Sequence, residues 1–206
     1  MLTGRYLCLR KPEEGDIWVM SRWLRDTDFL LNISGLPAPL QCDAAFLDAA
    51  RRMLVENAKD MTTRVTFVAE TTQSVPVGLV MFNSLNWKHR AVEMHLGIGE
   101  AAYRGKVYGG ELYLLGLLHL FFGLNLRVVL GYVYEGNEHA LQLNRYVAKC
   151  AGVLRQHIFR NGAYRDMLVF TLTRADFFQF LATHREGLLK KYYQYGFIPS
   201  IIESSC

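Results

Sequence analysis

Cysteine is scarce in this chain, and the four present (Cys8, Cys42, Cys150 and Cys206) follow no metal-ligand spacing and are too few for a disulfide framework. They read as free thiols of a reducing compartment, so a cytoplasmic protein without a metal site is expected. Five prolines and 17 glycines exclude collagen-like and low-complexity chains. Charge of one sign is missing as well: 23 Lys and Arg against 19 Asp and Glu leave a net +4, too small and too dispersed for a nucleic-acid partner. Long apolar runs are absent too. The longest, Leu112 to Leu124, contains His119 and has thirteen residues. A membrane-spanning helix takes about 20, so no membrane partner is expected. Met1 to Leu9 is broken by Arg5 and runs into Arg10 and Lys11, and so lacks the apolar stretch of a signal peptide. What is there is a chain of 206 residues, 51% hydrophobic, which suits one domain with a full core.

Strands and helices intermingle along it. Tyr6 to Leu9 reads as a short strand. Ile17, Met20, Trp23 and Leu24 recur at spacings of three and four, which predicts a helix over Glu13 to Arg25. Beyond a loop punctuated by Gly35, Pro37 and Pro39, Asp43 caps a second helix whose apolar face is Ala44, Leu47, Ala50 and Leu54. Val65 to Ala69 and Val77 to Phe82 read as strands, and Asn86 to Arg90 as the turn into a third. In that third strand Val92, Met94, Leu96 and Ile98 share one face, while Glu93, His95, Gly97 and Gly99 share the other. A basic, Gly-rich loop (Arg104 to Gly110) follows, then an apolar helix ending near Phe122. A strand from Arg127 to Tyr134 and a helix from Asn137 to Lys149 come next. Asn161-Gly162 predicts a hairpin joining strands at Val153 to Phe159 and Tyr164 to Leu172. The fold class is α+β, a mixed and largely antiparallel sheet flanked by helices. Residues 1–173 form the expected domain, and 174–206 a helix from Arg174 to Lys191 with an aromatic tail. Phe177, Phe178, Leu181, Leu188 and Tyr192 recur there at helical spacings, and that surface must be covered by the domain or by a second copy. The homodimer is the expectation.

Between the third strand and the apolar helix, Tyr103-Arg104-Gly105-Lys106-Val107-Tyr108-Gly109-Gly110 brings small residues, two cations and a helix N-terminus together. Backbone amides freed by small residues, added to the positive end of a helix, make a cradle for phosphate.

This loop resembles the cofactor loop of the GNAT N-acetyltransferases, where the pattern Arg/Gln-x-x-Gly-x-Gly/Ala holds the pyrophosphate of acetyl-CoA. Arg104 and Gly109 match the outer positions. Val107 stands where the middle glycine is expected, and a valine forbids positive φ and narrows the groove. Val92 to Ile98 resembles the strand before the loop, and Asn137-Glu138-His139-Ala140 resembles the Asn-x-x-Ala/Ser that opens the next helix beside the cofactor. Gly152 to Arg155 with Phe159 to Asp166 is similar to the last hairpin of the branch holding ribosomal-protein and nucleotide-amino-sugar N-acetyltransferases. The resemblance implies a GNAT-like sheet and acetyl-CoA as co-substrate. It places that co-substrate on Leu96, Gly97, Ile98, Arg104, Gly105, Lys106, Val107, Tyr108, Gly109, Gly110 and Asn137. It implies acetyl transfer to the primary amine of a small molecule, with an amino sugar ahead of a protein N-terminus. Seven residues after the motif asparagine, family members often carry a tyrosine that protonates the departing thiolate; here Asn144 stands there. Tyr146 projects from a different side of the helix. Val107 and Asn144 also fit a module that binds acyl-CoA without turnover.

Acetyl transfer to an amine needs a base for the ammonium proton and a donor for the developing oxyanion. Glu93 and His95, two apart on one strand face, are the catalytic candidates for the proton. The resemblance places the oxyanion donor among the backbone amides near Leu96 to Ile98. His119, inside the apolar helix, reads as a core residue. Trp18, Trp23 and Phe29 read as core ahead of an acceptor pocket, and Arg155, Arg160 and Arg165 as a solvated face ahead of a phosphate site.

Overall fold

The computed structural model describes residues 2–26, 28, 29, 33, 43–52, 63–160 and 162–192. Its strands are β1 (Leu2–Thr3), β2 (Leu7–Arg10), β3 (Val65–Thr71), β4 (Pro76–Asn86), β5 (Ala91–Ile98), β6 (Val128–Tyr134), β7 (Lys149–Arg160) and β8 (Ala163–Thr173). They form one sheet in the order β1-β2-β3-β4-β5-β6-β8-β7. Every pairing is antiparallel except that of β5 with β6.

Helices cover both faces. On one, α1 (Asp16–Leu24) and α2 (Asp43–Arg51) bury Ile17, Met20, Trp23, Leu24 and Ala50 against Val68, Leu79 and Met81. On the other lie α3 (Val107–Leu118), α4 (Glu138–Val147) and α5 (Arg174–Tyr192). Here Leu112, Leu115 and Leu118 meet Val80 and Phe82, which alternate with Leu79 and Met81 along β4, and Val92 and Met94 of β5. The α3 run is apolar all round because it is buried all round, between the sheet and the other helices. It ends in a π turn, His119–Gly123. No helix among the described residues is long and apolar enough to cross a membrane.

The C-terminal helix α5 docks on the domain. Phe177 stacks on Phe121 and Phe178 on Phe122, both at 5.0 Å between ring centroids, and Phe177 and Leu181 are buried in the core that α3 builds. Leu54 and the aromatic tail (Tyr193, Tyr195, Phe197) lie outside the described residues. Cys8 is buried and Cys150 exposed, both free thiols.

Some boundaries differ from the sequence reading, among them the start of α1, at Asp16 and not Glu13. The helix α4 stops at Val147, and Ala148 is already extended (φ −118°, ψ 167°), so β7 begins at Lys149 without a loop, four residues before Val153. As the edge strand, β7 is exposed on both sides from Lys149 to His157, and such a strand carries no apolar alternation to announce it. In the middle of the sheet, β4 runs on past Phe82 to Asn86.

Candidate active site

The site begins where the parallel pairing fails. β5 and β6 pair only at Ala91↔Val128, Val92↔Val129 and Glu93↔Leu130. Beyond that point β5 stays with β4 and β6 stays with β8, so the two strands part. The wedge opens into a cavity of about 640 Å³, walled by Leu96, Gly97 and Ile98 on one side and Gly131 to Tyr134 on the other. That is the size of a small-molecule site, typically about 300 to 1,000 Å³.

At its mouth the chain turns through Gly105 into α3. Gly105 has φ +67°, a conformation that suits glycine. Lys106, extended at φ −111°, opens the helix without a side-chain cap, so the amides of Val107, Tyr108 and Gly109 are left for a ligand. A Cβ at Gly109 would meet nothing within 4 Å, so the ground before the helix end is open. The left-handed turn falls on Gly105 and not on Val107. Val107 starts the helix with no positive φ and packs partly against the core, so the strain expected of a valine there does not arise.

The two cations of the loop turn back onto the chain's own carbonyls. Arg104 donates from Nε to the Ile98 carbonyl (2.8 Å) and from a terminal nitrogen to that of Gly99 (2.6 Å), and it pairs with Asp26 at 2.7 Å. Burial works against the Asp26 carboxylate, yet Arg104 and the amides of Phe29 and Asp28 hold its pKa below the usual range. Lys106 donates from Nζ to the Ala102 carbonyl at 2.7 Å. Both side chains therefore brace the loop on its own carbonyls. Asn137 caps α4, its Oδ1 accepting from the Ala140 amide at 3.2 Å, and lines the cavity with Gly110. Tyr108 packs edge-on against Tyr103 and Tyr6, outside the cavity wall.

On the α1 face of the sheet, His95 lines the cavity with its Nε2 3.7 Å from Glu93 Oε2. Burial lowers the His95 pKa, and Glu93 offsets only part of that, so the imidazole is neutral near pH 7. Glu93 stands behind it, at the last paired position of the fork and outside the cavity wall. Across the wedge Tyr132 has its pKa raised by burial and by the Glu93 charge. Gly97 leaves room for Phe29 and Ile33 to press onto β5; a Cβ there would sit 2.9 Å from Ile33. Trp23 and Phe29 are core, Phe29 also reaching the cavity wall, whereas Trp18 is 69% exposed on the outer side of α1. Arg160 is buried, not solvated as expected, with its guanidinium 3.6 Å over the Tyr134 ring. His119 packs against the Phe67 and Phe82 rings, a core residue as its place in the apolar helix implies.

On the α3 face the position of Asn144 holds a pair. Tyr113 of α3 donates its hydroxyl to Asn144 Oδ1 at 3.2 Å, and Asn144 Nδ2 donates to the Ala140 carbonyl at 2.9 Å, which fixes the amide. Both side chains line the cavity, and burial raises the Tyr113 pKa. Tyr146 is excluded from the site: it is 60% exposed and packs on Phe180 and His184 of α5. Sequence reasoning passes over Tyr113, although a hydroxyl inside an otherwise apolar run is a signal, since buried polar groups need partners.

Comparison with known proteins agrees with the fold. Residues 6–149 match the family model described as the acetyltransferase (GNAT) domain. An SPbeta prophage-derived uncharacterized N-acetyltransferase, YokL of Bacillus subtilis, is 28% identical over 176 residues, which are 85% of this chain and 94% of that protein. Among solved structures, the spermidine N-acetyltransferase of Vibrio cholerae in complex with CoA and spermine superposes with a TM-score of 0.72 at 23% identity, covering 83% of this chain and 97% of the other. A chimera of that enzyme with hSSAT gives 0.71 at 23%, with the same coverage of each chain.

Proposed function

The chain belongs to the GNAT acetyltransferase family, an acetyl-CoA-dependent N-acetyltransferase, and from that premise we propose that its acceptor is the primary amine of a small molecule, an aliphatic polyamine ahead of an amino sugar. The observation that carries the reading is the fork itself, with an uncapped helix end on one side and the Glu93–His95 pair on the other. When bound, acetyl-CoA supplies the acyl group as an activated thioester. The amides of Val107 to Gly109 hold its pyrophosphate, and the parted edges of β5 and β6 offer hydrogen bonds to the pantetheine arm. The amine arrives on the Glu93 face, where the carboxylate attracts its positive charge. His95, kept neutral by burial, takes the proton, and Glu93 steadies the imidazolium that results. A backbone amide near Leu96 to Ile98 meets the developing oxyanion.

A polyamine is favoured because the superposing Vibrio cholerae enzyme is a spermidine N-acetyltransferase and because the charge standing behind His95 is negative. The test is acetyl-CoA with spermidine, spermine, glucosamine and an N-terminal peptide, followed by thiol release and product mass. Polyamine-dependent thiol release with an N-acetylated product is the expected outcome. Turnover only with the sugar or the peptide overturns the acceptor. CoA binding with no turnover on any amine leaves the non-catalytic binding module, the second reading, which Asn144 in place of the family tyrosine favours.

A further inference from the structure

We propose that Lys191, in the last turn of the C-terminal helix, binds the pyrophosphate of CoA and supplies charge that the loop before α3 does not. The inference rests on the acetyl-transfer reading above. It adds a binding residue from α5, which lies beyond the residues 6–149 of the family match.

Charge is the first argument. A pyrophosphate diester carries about two negative charges, whereas a helix N-terminus offers roughly half a positive one. The first turn of α3 holds no acidic residue and no side-chain cap, so its amides suit an anion but do not balance it. Arg104 and Lys106, the cations expected to do so, donate to the carbonyls of Ile98, Gly99 and Ala102, and Arg104 also pairs with Asp26. Among the described residues, the third Lys or Arg of the cavity wall is Lys191.

Position is the second. Phe177 stacks on Phe121, which sets the start of α5 beside the far end of the α3 run. From there α5 runs back along α3: Lys191 lies fourteen residues beyond Phe177, and Val107 fourteen before Phe121. Equal lengths of helix, about 21 Å each, bring Lys191 level with the first turn of α3. A second cavity of about 830 Å³ lies between α3, α4 and α5, and it shares Gly110, Tyr113, Leu143 and Lys191 with the first. Gly110 belongs to that first turn, so Lys191 stands at the junction of the two cavities, beside the helix end. A lysine is a point charge on a flexible stem, and an exposed one at an open mouth can meet a phosphate that arrives there.

Calorimetry of wild type, Lys191→Ala and Lys191→Arg with CoA, dephospho-CoA and pantetheine, beside unfolding midpoints, tests the assignment. Lys191→Ala should weaken CoA and dephospho-CoA alike, by about tenfold, with a larger difference at low salt. Its midpoint and its affinity for pantetheine should match the wild type, and Lys191→Arg should keep most of the affinity for CoA. Equal CoA affinity in wild type and Lys191→Ala overturns the proposal. A loss seen with CoA but not with dephospho-CoA also overturns it, by moving Lys191 to the 3′-phosphate. An equal loss with pantetheine overturns it as well, because the role is then structural. Failure of the wild type to bind CoA overturns the acetyl-transfer reading itself, and this inference with it.

Discussion

Burial drives His95 and Glu111 to the same end, the uncharged form, by opposite shifts of pKa. For His95 the shift is downward, so the acidic limb of the kcat profile lies below the usual histidine value of 6.5. Glu93 opposes that shift, so Glu93→Gln should move the limb to still lower pH while much of the rate survives. His95→Gln should cost about 10² to 10⁴ in kcat at unchanged CoA affinity. The reverse pattern, a large loss for Glu93→Gln and little for His95→Gln, would make Glu93 the base. Glu111, on α3, accepts from the amides of Arg5 (2.5 Å) and Tyr6 (3.0 Å), yet burial pushes its pKa from 4.5 up to about 7. The folded chain therefore holds a proton that the unfolded chain has lost between these values. Stability is fully present below pH 4.5 and declines as pH rises through 7, as the folded state binds more protons there. Urea midpoints across this range should show the decline in the wild type and its absence in Glu111→Gln. His95 is legible in the sequence because strand alternation pairs it with Glu93. Glu111 and Tyr113 are not, because their partners, at Arg5 to Leu7 and Asn144, are distant in the chain and only packing brings them together.

Among the elements, the turn into α3 shows how a pattern carries meaning without matching at each position. The loop needs one residue with positive φ and an uncapped helix start; Gly105 supplies the first and Lys106 permits the second, so valine at position 107 is accommodated. Glycine spacing reveals the element but not which glycine bends. The opposite case is β7, invisible at its start because an edge strand exposed on both faces has no apolar period. The C-terminal helix lies between these cases. Its apolar spacing is plain in the sequence, whereas its cover is decided by Phe121 and Phe122. Phe177→Ala empties a fully buried site and should destabilise the chain by about 3 to 5 kcal/mol, read from denaturant midpoints. Truncation before Arg174 should lower the midpoint at unchanged subunit number. Conversion of a dimer to monomers in light scattering would place a second copy on this segment.

At the scale of the whole molecule, one topological fact organises the chemistry. A sheet that is otherwise antiparallel contains one parallel pair, and that pair parts after three residues on each strand. The parting turns two strand edges into the walls of a cavity, sets His95 and Tyr113 on opposite faces of the sheet, and aims the start of α3 at its mouth. The order of strands, the loop and the Asn137 cap can be read along the chain. The fork cannot, since nothing in the composition of β5 or β6 marks where their pairing ends. The central claim is that this fork and the α3 amides bind acetyl-CoA, and calorimetry of CoA tests it most directly. Gly109→Phe fills the open ground beside half-buried Gly109, while Gly15→Phe adds the same side chain at an exposed glycine whose Cβ would likewise meet nothing within 4 Å. The account predicts wild-type affinity for Gly15→Phe and a loss of at least about tenfold, roughly 1.4 kcal/mol, for Gly109→Phe. Equal CoA affinity in the two variants would contradict it.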